Sequence, residues 1–151
     1  MKRIDVINEI DSAFAGIARP EIFIRGTCQC CECWEHNKTM SYLNPIDLPL
    51  DKLNNPGWDP ICFASNHAFS YFLPGLVRLI LNHPGDYIQQ FLFHIEQPER
   101  IDSFKKVQIF ALINVLDILV LEEINAVEEN FVIDDIIRLR ETLEHVVEGI
   151  D

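Results

Sequence analysis

The run VQIFALINVLDILVLEEI, residues 107–124, limits what this chain can become more than any other stretch. At 100° per residue the pattern over 101–125 is helical and apolar on nearly every side. Ser103, Lys106, Asn114 and Asp117 fall along one narrow stripe. Such a helix is stable only where other helices cover it, so it belongs at the centre of a bundle with the stripe as its outlet. Asn114 and Asp117 break the run, which falls short of a membrane span. Asp117 is expected to reach water or cap a neighbour rather than to do chemistry.

Other segments supply the cover. Near the start, Ile7, Ile10, Phe14 and Ile17 recur at helical spacing, with Pro20 just past the end. EIFIRGT reads as a short extended piece ending at Gly26. SNHAFSYFLPGLVRLILNHPGD predicts a helix with Ser65 or Asn66 as N-cap, kinked or divided at Pro74 and Gly75. YIQQFLFHI predicts a further short helix ended by Pro98. In DDIIRLRETLEHVVEGI, Asp134 and Asp135 suit the positive end of a helix, and Ile136, Leu139, Leu143, Val146 and Val147 form its buried face. The expected class is all-α: a compact bundle of five to six helices in one domain over residues 1–151, without internal repeats.

One region does not read as helix. TCQCCECWEH, residues 27–36, places Cys28, Cys30, Cys31 and Cys33 within six positions, with His36 three beyond. The stretch 37–65 that follows holds Pro45, Pro49, Pro56 and Pro60 and should carry little regular structure. So long a loop in a compact domain needs an anchor, and a metal at its root would supply one.

Cys30-x-x-Cys33 is a spacing at which two thiolates grip one tetrahedral ion. If a helix begins near Cys31, His36 lies beside Cys33 on the same face. Cys30, Cys33 and His36 are therefore the first three expected ligands of a structural zinc ion, with Cys28 or the distant Cys62 as the fourth. Cys31, adjacent to Cys30, is expected to be a buried small hydrophobe.

Catalysis has weaker support. Glu32 and Glu35 could act as general base beside a zinc-bound water, and Cys33 with His36 or Cys62 with His67 could form a thiolate–imidazole pair. No HExxH, P-loop, GxSxG or dinucleotide fingerprint is present. Both glutamates read more simply as an exposed helical turn, and Trp34 and Trp58 as packing residues that seat the loop.

The formal charge is −12 and unevenly spread: from Asp117 onward eleven acidic residues face only Arg138 and Arg140. Such a surface repels phosphate backbones, which argues against nucleic acid as a partner; it reads first as a solvated, solubilising face and second as a surface for a basic protein. The opening MKRIDVINEIDSAF lacks the apolar run of a secretory signal. A cytoplasmic location is expected, where thiols stay reduced and disulfides are disfavoured.

Three stretches, CCECWE, PICFASNHAFSYFLPGL and FKKVQIFALINVLDIL, resemble a family of small uncharacterised bacterial proteins with a C-x-E-C segment followed by an AF-x-YFLP segment. The likeness implies a helical fold and no particular activity. That family's pattern often has a His ahead of C-x-E-C, where this chain has Cys28. The exchange keeps a metal ligand, so the resemblance favours Cys28 over Cys62 as the fourth.

The expected function is therefore binding or interaction, not catalysis. A structural zinc on Cys28, Cys30, Cys33 and His36 would tie the loop to the helical core, and the acidic C-terminal face would meet a basic partner. The alternative is a metal- or thiol-dependent hydrolase with Glu32 or Glu35 as base.

Overall fold

Wherever apolar residues recur every three or four positions, the chain coils, and a computed structural model places these helices for residues 1–26 and 30–150. Nine α-helices form among the described residues: α1 (Arg3–Ala13), α2 (Cys31–Tyr42), α3 (Leu50–Leu53), α4 (Asn66–Asn82), α5 (Pro84–Ile95), α6 (Pro98–Ser103), α7 (Lys106–Glu122), α8 (Ile124–Glu129) and α9 (Ile133–Glu148). Two 3-10 turns, η1 (Pro56–Trp58) and η2 (Pro60–Phe63), lie between α3 and α4. Six helices have eleven residues or more, so the fold is all-α as expected.

Helix α7 occupies the centre. It packs against α1 and α9 and touches α8, while α4 pairs with α5 and α1. Ile109, Leu112, Val115, Leu116 and Leu119 are fully buried, each removing apolar surface worth about 1.5–3 kcal/mol from water. The polar stripe finds partners on neighbouring helices. Asn114 donates to Glu9 at 2.6 Å, and Asp117 accepts from Arg140 at 2.6 Å. Asp117 thus stands in a half-exposed ion pair. No helix among the described residues is long and apolar enough to cross a membrane.

Three local expectations differ from the structure. The pattern read as one helix over 101–125 is divided, because Phe104 is extended and buried, with its ring edge-on to Phe14 at 5.8 Å. The Gln108 side chain accepts from the Lys105 N–H at 2.8 Å and starts α7 afresh. Helix α4, by contrast, is not divided at Pro74, the second of the two outcomes expected there, and the Ser65 hydroxyl accepts from the Ala68 N–H at its start. Eleven of its residues are buried, so packing holds it continuous across the missing N–H.

The third difference concerns 37–65. Helix α2 continues through Tyr42, since Cys33, His36 and Met40 present a buried stripe to the core. Beyond it, Asn55 and Asp59 side chains cap η1 and η2 by accepting from Gly57 and Ile61 N–H groups. A Cβ at Gly75 would lie 2.1 Å from the Pro45 carbonyl oxygen, so the segment lies directly on α4 where only glycine leaves room. The extended piece before α2 also meets this region. Ile24 bridges Ala64, Arg25 N–H donates to Phe63 O, and Ser65 N–H donates to Phe23 O.

Candidate functional site

Helix α2 begins at Cys31, with the Cys30 sulfur accepting from the Cys33 N–H at its N-terminus. That turn brings Cys30 Sγ and Cys33 Sγ to 3.2 Å from one another. Cys28 lies outside the described residues. Cys31 is exposed, contrary to expectation, because it sits two positions and about 200° from the buried Cys33 on the helix.

One turn past Cys33, His36 is fully buried, its ring stacked on Phe63 at 4.2 Å and tilted against Trp58 at 4.4 Å. Among the described residues neither ring nitrogen has a hydrogen-bond partner, and the nearest carboxylate, Glu32, stands 3.7 Å from Nε2. Burial holds this imidazole below its ordinary pKa against the pull of Glu32, so it is neutral, the form that ligates metals. Glu32 and Glu35 are exposed on the helix.

A second cluster forms where η2 meets α5. Asp59, almost fully buried, accepts at Oδ2 from the Tyr87 hydroxyl (2.8 Å), the Gln90 amide (2.8 Å) and His94 Nε2–H (2.7 Å). Its Oδ1 accepts from the Ile61 N–H at 2.9 Å. Burial pushes its carboxyl pKa up, but these bonds from His94, Tyr87 and Ile61 outweigh it and hold the group below the usual carboxylate range. Tyr87 is driven the other way by burial and the adjacent charge, so it remains a phenol.

His94 is buried and its pKa is lowered by desolvation, Asp59 notwithstanding. With Nε2 donating to a carboxylate, the lone pair resides on Nδ1, which is buried without a hydrogen-bond partner. Cys62, three residues after Asp59, completes the group. One ligand-type atom from each of Asp59, Cys62 and His94 lies within 4.8 Å of the others. The three form a candidate metal-binding group.

Arg100 secures the surroundings. Its buried guanidinium donates to His94 O (3.0 Å), Ile61 O (2.8 Å) and Ala64 O (3.2 Å), and lies 4.2 Å from the Phe69 ring centre. Burial lowers its pKa to about 10, so it stays charged near neutrality. A cleft of about 400 Å³ opens beside the cluster, lined in part by Cys62, Tyr87, Gln90, Phe93, His94 and Asn130.

Sequence reasoning paired Cys62 with His67. Instead His67 is exposed, with Nε2 2.8 Å from Ala18 O, and Cys62 meets His94. A signal for His94 was present: Tyr87, Gln90 and His94 recur at i, i+3 and i+7 on α5, placing three polar groups along one face, with Tyr87 and His94 buried.

Fold and site together define a helical domain carrying a candidate metal-binding group. Compared with known proteins, the chain matches no family model, no curated protein and no solved structure.

Proposed function

We propose that the protein is a non-catalytic binding protein stabilised by a structural zinc ion on Cys28, Cys30, Cys33 and His36, with an acidic C-terminal face that meets a basic protein partner. The observation that carries the metal reading is the convergence of the Cys30 and Cys33 sulfurs at the first turn of α2. A buried, neutral His36 without hydrogen bonds on the next turn supports it, because an unpaired imidazole in the interior costs free energy that a metal bond would recover.

The partner reading rests on charge. Arg138 and Arg140 are both engaged by nearby carboxylates, while Glu128, Glu129, Asp134, Glu141 and Glu148 are exposed and enter no ion pair among the described residues. Amid them Phe131 is 88% exposed at φ +57°, a conformation costly for an aromatic residue. An apolar knob in an acidic field suits a basic surface with an apolar recess.

Elemental analysis of the purified chain tests the metal. About one zinc per chain, lost with a sharp fall in melting temperature in Cys30→Ser and Cys33→Ser, supports it. Unchanged melting sinks it, and three ligands plus a water would favour hydrolysis with Glu32 or Glu35 as base. For the partner, a protein captured by the wild type should be released by salt and missed by E128K/E129K.

A further inference from the structure

We propose that Asp59, Cys62 and His94 form a second cation site, selective for a borderline divalent metal of the zinc class and open toward the cleft. This goes beyond the Cys30–Cys33 reading and does not depend on it.

The donor set defines the metal. One sulfur, one imidazole nitrogen and one carboxylate oxygen match zinc-class ions, whereas magnesium and calcium demand oxygen cages. Ligand atoms around a tetrahedral zinc stand about 3.3–3.8 Å apart, judged from bond lengths near 2.0–2.3 Å. The three candidate atoms already lie within 4.8 Å, and Cys62 is half-buried on a short 3-10 turn, so a side-chain rotation closes the gap.

Each residue can turn one donor atom toward an ion. His94 is neutral, and with its proton moved to Nδ1 it presents the Nε2 lone pair on the side where Asp59 lies, the ion taking the place of their hydrogen bond. Asp59 Oδ1 accepts from the Ile61 N–H and retains a second lone pair. Cys62 carries a thiol whose proton is retained by burial and by the Asp59 charge. A dication exchanges for that proton: the S–H bond breaks, a metal–sulfur bond forms, and the proton passes to solvent.

The cluster also has an entrance. Cys62 and His94 line the cleft, so an ion held by them has three protein ligands and a fourth position facing solvent, the ligand count of an accessible rather than a closed zinc site. Gln90 and Asn130 on the same walls offer carboxamide oxygens to whatever fills that position.

The test uses the full chain, stripped with chelator and titrated with Co²⁺ while thiolate-to-cobalt absorbance and proton release are followed. The wild type should take up two equivalents. Cys62→Ala, a small change at a half-buried position, should lose one of them, and Cys30→Ser should lose the other while keeping the Cys62 one. Independently, Zn²⁺ should slow alkylation of Cys62 in the wild type at least tenfold. The proposal is overturned if Cys62→Ala binds as many ions with the same thiolate band, or if Zn²⁺ leaves Cys62 alkylation unchanged. Failure of the Cys30–Cys33 site would appear separately, as a Cys30→Ser variant that loses nothing.

Discussion

His94 and Asp59, 35 positions apart in sequence, meet at 2.7 Å in the interior, and that contact joins the proline-rich segment to helix α5. Tyr87 and Gln90 donate to the same carboxylate oxygen, and Gln90 also reaches Leu53 O at 2.7 Å. Much of the anchoring expected of a metal is therefore done by side chains.

Asp59→Asn preserves shape and the capping oxygen but turns an amide N–H₂ toward donors. The Tyr87, Gln90 and His94 donors would lose their shared acceptor in the interior. A loss of about 3 kcal/mol is expected, measured by urea unfolding. A change below about 0.5 kcal/mol would mean the network is not formed in solution.

Chelator-treated protein should lose stability as pH falls through about 6.5. Burial depresses the pKa of both His36 and His94, so the unfolded chain takes up protons at a pH where the folded one does not. Each proton bound preferentially by the unfolded state makes stability rise with pH, so acidification removes it. A second loss should follow below the ordinary carboxylate range, as the depressed Asp59 titrates. Melting temperatures flat from pH 7.5 to 5 would contradict the first part.

Gly75→Ala should destabilise by about 2 kcal/mol or more, because its methyl would strike the Pro45 backbone, which cannot rotate away as a side chain can. Gly85→Ala is the control. Its Cβ would meet nothing within 4 Å, so its effect should be small or slightly stabilising.

Arg100→Lys keeps the charge but loses the planar fork that serves three carbonyls and the face contact with Phe69. About 2 kcal/mol should be lost, with hydrogen exchange rising first at the amides of η2. Equal protection in the variant would show that the segment is held by other means.

Helix positions were legible because periodicity is local. Ile136, Leu139, Leu143 and Val147 line one face of α9 at helical spacing, and burying that face suffices to choose the conformation. Cys30 and Cys33 were legible as neighbours for the same reason: one helical turn brings residues three apart together. The break at Phe104 was not, since its apolar side chain continues the pattern, and only a pocket beside Phe14 and Phe69 draws it out of the helix.

By itself, then, the order of residues determined which segments coil and which of their faces seek cover, through contacts spanning a few positions. Tertiary structure alone decided that Asp59, Cys62, His94 and Arg100 share one interior. Their attraction acts between segments about 30–40 residues apart, and no period in the sequence says which segments pair. Buried polar groups must find partners wherever the packed helices put them, and that placement exists only once the chain has closed around α7.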